Sequence, residues 1–131
     1  MAYRGSLADG LEDIGREIVD AAYRVHSALG PGLLEGIYET CLCHDLRKRG
    51  LLVDKQVAMP IVYDTLRLES GLRLDLLIEK SVVVEVKSVE RMIPVYQAQI
   101  LSYLKPADLR LGFLINFNVP QIRDGLKRYA R

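Results

Sequence analysis

Ser81-Val82-Val83-Val84-Glu85-Val86-Lys87-Ser88 decides how the rest of the chain reads. A run this rich in valine predicts a strand inside a sheet, where β-branched side chains pack well. Side chains alternate along a strand, so Glu85 and Lys87 share one face and Val84 and Val86 the other. Two charges on an inner strand are costly unless each is paired or meets a metal. Just upstream, Arg73-Leu74-Asp75-Leu76-Leu77-Ile78 places one carboxylate among leucines. A tight turn at Glu79-Lys80 makes the two strands antiparallel neighbours, so Asp75 and Glu85 can converge. Two carboxylates with few positive partners suit a hard divalent cation such as Mg²⁺. A lysine beside them can hold an attacking water or offset charge on a phosphoryl group. The set therefore suits metal-assisted phosphodiester hydrolysis. The same residues also permit a plain solvated face, or a structural ion pair, Asp75–Lys87 or Glu85–Arg73.

Outward from this hairpin, the pattern predicts helices and strands in the order α-α-β-β-β-α-β-α. Leu7, Leu11, Ile14, Ile18, Ala22, Val25 and Leu29 recur at helical spacing. They predict a first helix from Ser6, its cap, with Asp9 in a box-like position, to a stop at Gly30-Pro31. Leu34, Ile37, Tyr38, Cys41, Leu42 and Leu46 predict a second over 33–49, closed by Gly50. Val53 to Tyr63 reads as a strand that Pro60 confines to an edge or a bulge. Asp64-Thr65 turns, 66–68 returns, and 72–78 and 81–89 are the two central strands. A helix over 95–104 starts after Pro94, a strand covers 109–117, and a last helix covers 120 to about 129. This is an α/β order, a mixed central sheet with helices on its faces and extra helices at both ends.

The 131 residues argue for one domain spanning 1–131. Half of them are hydrophobic, enough for a real core. Lys+Arg 18 against Asp+Glu 17 excludes a strongly basic or acidic chain as the whole explanation. The charge is uneven, however. Residues 1–40 carry three arginines against seven acids, and residues 105–131 six cations against two acids. That basic end could meet phosphate, or be a solvated face. Cys41 and Cys43 are too few for a disulfide framework and read as core or half-buried thiols. His26 reads as capping or packing and His44 as solvent-facing, which leaves no zinc or His-nucleophile constellation. The glycines at 30, 32 and 36 follow no strand and lack the Lys-Ser/Thr of a phosphate loop. No apolar run approaches a membrane span, and no signal-like stretch opens the chain, so a cytoplasmic protein is expected.

Asp75 followed ten residues later by Glu85-Val86-Lys87 resembles the PD-(D/E)xK signature of restriction-endonuclease-like nucleases. Within that superfamily the chain is similar to the GxxExxY family, whose motif stands here as Gly32-Leu33-Leu34-Glu35-Gly36-Ile37-Tyr38. Val25-His26-Ser27-Ala28-Leu29-Gly30-Pro31-Gly32, Ala98-Gln99-Ile100-Leu101-Ser102-Tyr103-Leu104 and Gly112-Phe113-Leu114-Ile115-Asn116-Phe117 extend the likeness over nearly the whole chain. Leu74 stands where the signature's name has proline, and Tyr96 where relatives often have histidine. The resemblance implies an αβββαβ core. It implies Asp75 and Glu85 as metal-binding acids, Lys87 as the catalytic lysine, and Glu35 as a further metal contact. Gln99, counted with Asp75, Glu85 and Lys87 among the catalytic residues, and Tyr103 would lie at the rim of the site.

Local spacing bears on these roles. Glu35 and Tyr38, three apart, face one way on the second helix, and the substrate groove would take Tyr38, Tyr96 and Tyr103. Glu35 also fits a capping acid in a first turn. Tyr96, Gln99 and Tyr103 form one polar-tipped stripe, and the tyrosines also fit plain core packing. The leading expectation is a nuclease using Mg²⁺ or Mn²⁺ on nucleic acid, DNA before RNA, with a homodimer or a nuclease complex as its working form. A non-catalytic nucleic-acid-binding or protein-interaction module on the same fold is the alternative, and a ligand-binding protein with a structural charge cluster is the third. An inert module need not retain all three of Asp75, Glu85 and Lys87.

Overall fold

A computed structural model describes the backbone of residues 4–131 and the side chains from residue 10 onward. The caps expected from Ser6 and Asp9 concern side chains outside that range. Helix α1 spans Arg4–Leu29 and α2 spans Glu35–Lys48. Ile18, Ala21, Ala22 and Val25 on α1, and Tyr38, Leu42 and Leu46 on α2, are buried at helical spacing. Left-handed Gly30 (φ +69) ends α1, and Gly50 (φ +87) follows α2.

Strands β1 (Val53–Tyr63), β2 (Leu66–Ile78), β3 (Val82–Lys87), β4 (Leu111–Asn116) and β5 (Leu126–Ala130) form one sheet in that order. Only β3 and β4 run parallel, joined by a crossover through α3 (Pro94–Leu104). The two most buried strands, β3 and β4, are the apolar runs of the sequence. β1 lies at the edge, as Pro60 requires, and its register shifts between Met59 and Ile61. The return over 66–68 and the strand over 72–78 are one long β2.

The sheet separates two apolar layers. Val82, Val84, Val86, Phe113 and Ile115 pack with α1 and α2, whereas Val83, Leu114, Leu77 and Leu74 pack with Ile100, Tyr103 and Leu104 of α3. One irregularity matters for the site. In β2, Leu72 and Leu74 lie on the α3 side but Leu76 and Ile78 on the other. In β1, Val53 lies with α1 and α2, whereas Val57 and Met59 lie with α3. Both strands therefore slip phase at the same level, at Asp75 and Gln56, and Gln56 takes φ +51 to do so.

The helix expected over 120–129 is corrected: a short 3-10 turn, Ile122–Gly125, leads into β5. Leu126 packs on the α1 side and Tyr129 on the α3 side, with strand rather than helix periodicity. The buried strand β4 needs a partner for its second edge, and β5 supplies it. At Gly125 the turn passes so close to β4 that a Cβ would meet the Asn116 carbonyl oxygen. The same pairing redirects two cations of the basic end, since Arg128 bonds Glu12 and Arg131 bonds Asp108. Among the described residues, no helix is long and apolar enough to cross a membrane.

Gly125→Ala should destabilise the fold by at least about 2 kcal/mol, since backbone rather than a movable side chain blocks the new methyl. Urea denaturation reads this as a lower midpoint at unchanged slope.

Candidate active site

The pairing of β2 with β3 stops early. Register holds from Ile78–Val82 to Leu76–Val84, although both strands continue. At the next level the two carboxylates take over. The Asp75 N–H donates to Glu85 Oε2 at 2.9 Å, and the Val86 N–H donates to Asp75 Oδ2 at 2.9 Å. Each side chain thus satisfies a main-chain donor on the opposite strand, and the two acids are fixed beside each other.

Glu85 is 3% exposed, a poor place for a charge. Burial, and then the negative charge of Asp75, push its carboxyl up from 4.5 to about 8; the Asp75 N–H and Lys87 act against this. Neither structural pair, Asp75–Lys87 or Glu85–Arg73, forms: Arg73 reaches the Gln56 carbonyl instead, at 3.5 Å. The Lys87 ammonium sits 4.7 Å from the centre of the Tyr96 ring, on the sheet face that also carries Glu85. From α3, Gln99 Nε2 donates to the Tyr103 hydroxyl at 2.7 Å. Burial, and then the charge of Glu85, raise the Tyr103 phenol above its ordinary range. Tyr96, Gln99 and Tyr103 therefore stand over Glu85 and Lys87, as their stripe requires.

Glu35 arrives from the other layer at the first turn of α2. Its carboxyl is raised by burial, lowered by Lys87 and raised again by Asp75, so it senses the same cluster. It is placed by the loop before it. The Tyr38 hydroxyl donates to the Gly30 carbonyl (2.5 Å) and accepts from the Leu33 N–H (3.1 Å). Gly32 takes φ +98, and Ser88 Oγ donates to the Leu33 carbonyl at 2.6 Å, tying the loop to the end of β3. Asn116 clamps the next residue, accepting from the Val89 N–H (3.1 Å) and donating to its carbonyl (3.0 Å).

Tyr38 itself is a correction. It is fully buried and stacked on Phe117 at 4.7 Å, so it lines no substrate groove. An i, i+3 spacing puts it on the same side of α2 as Glu35, but the loop wraps over its hydroxyl. Two residues of the cluster escaped the sequence reading. Buried Glu39 accepts from Gln56 Nε2 at 3.1 and 3.2 Å, and the same Nε2 lies 3.5 Å from Asp75 Oδ1. Glu39 is one turn beyond Glu35 and could have been found by that spacing. Gln56 gives no such signal, because its position depends on the phase slip of β1. The histidines behave as read: His26 is buried with Nε2 2.7 Å from the Val119 carbonyl, and His44 is exposed.

The donor set is all carboxylate oxygen, which fits a hard cation such as Mg²⁺. Among the described residues, no three acid, His or Cys side chains converge into a ready-made cage. Mg²⁺ commonly takes one or two carboxylates, its remaining positions going to water or phosphate.

A model of the PD-(D/E)XK nuclease superfamily matches residues 12–129. No curated protein and no solved structure matches the chain.

Two outcomes follow from this geometry. The folded Glu85 carboxyl keeps its proton to about pH 8, whereas an unfolded one releases it near 4.5. In chelator the wild type should therefore lose stability as pH rises through that window, at up to about 1.4 kcal/mol per pH unit. Glu85→Gln should remove most of this slope and melt several degrees higher at pH 8, as denaturation at stepped pH would show. Tyr38→Phe leaves the Leu33 N–H and the Gly30 carbonyl without their partner, and should cost about 1–3 kcal/mol in the same assay.

Proposed function

This chain belongs to the PD-(D/E)XK nuclease superfamily, and we propose that it hydrolyses phosphodiester bonds in nucleic acid, DNA first, through one nuclease domain over residues 1–131. Nucleases of this superfamily generally use divalent metals. The observation that carries the reading is the buried Glu85 carboxyl, held against Asp75 at the end of the β2–β3 ladder with Lys87 on its face.

Asp75 and Glu85 would hold Mg²⁺ or Mn²⁺, with Glu35 reaching in from α2. A bound cation would supply Lewis-acid polarisation of the scissile phosphate and a more acidic water. The protein's own groups supply the rest. Main-chain N–H groups fix one oxygen of each strand carboxylate, so both acids are oriented before substrate arrives. Lys87 brings a positive charge to the same face, where it orients the attacking water or offsets charge growing on the phosphate oxygens. The Tyr96 ring holds that ammonium in place. Gln99 and Tyr103 border the site from α3 and offer polar tips to the substrate. The finer assignment to the GxxExxY family is supported by what its motif residues do here. Gly32 and Tyr38 shape the loop that delivers Glu35.

Cleavage of labelled single-stranded, duplex and branched DNA should require Mg²⁺ or Mn²⁺ and cease in EDTA. Lys87→Ala should lower the rate by about 10²-fold or more. Equal rates in the variant, or cleavage in EDTA, would contradict the mechanism. Failure to cleave together with failure to bind Mn²⁺ would favour the non-catalytic module.

A further inference from the structure

We propose that the groove between the C-terminal half of α2 and β1 is a phosphate-backbone track that carries one nucleic-acid strand to the carboxylate cluster. The proposal takes its substrate class from the nuclease reading above.

The groove encloses about 440 Å³ and is lined by Thr40, Cys43, His44, Arg47, Lys48 and Lys55. None of these is acidic. Of the acids next to lining residues in sequence, Asp45 pairs with Arg24 and Arg49, Asp54 pairs with Lys80, and Glu39 is buried and accepts from Gln56. Lys48, Lys55 and His44 are exposed, and none has an ion-pair partner among the described residues. The Arg47 guanidinium is pinned at the wall by donating to the Val53 carbonyl at 2.7 Å. Cations in a last helical turn are favourable by themselves, which accounts for Arg47 and Lys48. It does not account for Lys55, which comes from the facing strand.

One end of the groove adjoins the Glu39–Gln56 contact of the candidate active site. Thr40 and Lys55 are the chain neighbours of Glu39 and Gln56, which bond each other at 3.1 Å. Thr40, His44 and Lys48 form one exposed i, i+4 row along α2, beside the buried Glu39 and Cys43. That row begins beside Glu39, which Gln56 links to Asp75, and becomes cationic at Lys48 about 12 Å further on. A strand lying along it would place one phosphate at the acids and later ones among the lysines. The acidic end excludes a phosphate unless a cation sits there, and the basic end attracts the flanking ones. Of the basic end over residues 105–131, which the sequence leaves open between phosphate contact and a solvated face, Arg128 and Arg131 are spent in ion pairs.

The test measures binding of fluorescein-labelled DNA, single-stranded and duplex, by anisotropy across a salt series. A Lys87→Ala parent in Mg²⁺ keeps the substrate intact. Adding Lys48→Gln and Lys55→Gln should weaken binding about tenfold at low salt. The slope of log K against log salt should fall by roughly 1.5, since each lost phosphate contact is worth about 0.7–0.9. Adding Lys105→Gln and Lys127→Gln instead, with the same change in net charge, should leave the slope unaltered. An unchanged slope in the groove variant, an equal fall in the control pair, or no binding by the parent would overturn the track. Wild-type cleavage is scored separately. Groove-dependent binding without cleavage would sink the nuclease reading and leave the track standing.

Discussion

The structure turns on a backbone constraint, the end of the β2–β3 ladder at Leu76 and Val84. Strands that stop pairing leave main-chain donors that must be satisfied. Here Asp75 and Glu85 satisfy them with their side chains, crossing over to each other's strand. The phase slip at Asp75 and Gln56 makes this possible, because it lets β2 present Leu74 to one layer and Leu76 to the other with the carboxylate between them. The same arrangement that completes the backbone also forces two acids together in a nearly dry place. The fold holds them there by surrounding β3 with valine and leucine on both faces.

Much of what looks like a motif is the framing for this arrangement. Tyr38 serves the site from a distance: its hydroxyl closes the Gly30–Leu34 loop, and its ring rests on Phe117 at the end of β4. Ser88 and Asn116 tie that loop and the segment after β3 to the sheet. Glu35 is thereby brought from one layer to acids that arise in the sheet itself. α3 covers the opposite face with an uncharged helix whose only polar tips near Glu85 are those of Tyr96, Gln99 and Tyr103. Lys87 is the cation these elements leave facing the acids.

The sequence carried a good deal of this. The valine run, the lone Asp75 among leucines and the short Glu79-Lys80 turn were enough to place the central hairpin and its two carboxylates. Helical spacing gave α1, α2 and α3. The end of the chain misled because Gln121 to Tyr129 mixes charge and apolar residues at a length where helix and strand patterns overlap. Only the need of β4 for a second partner decides it. Tyr38 misled because spacing gives direction but not what lies there. Gln56 was illegible: a left-handed glutamine in a strand follows from the register of a neighbour, which no local pattern encodes.

The most direct test of the account is the melting temperature of the metal-free protein before and after Mn²⁺, compared with Asp75→Asn and Glu85→Gln. A cation that binds only the folded carboxylate pair should raise the wild-type midpoint by several degrees. It should leave Asp75→Asn nearly unmoved and give Glu85→Gln a much smaller rise. An unmoved wild type, or the same rise in all three proteins, would contradict the proposal that Asp75 and Glu85 hold a divalent cation.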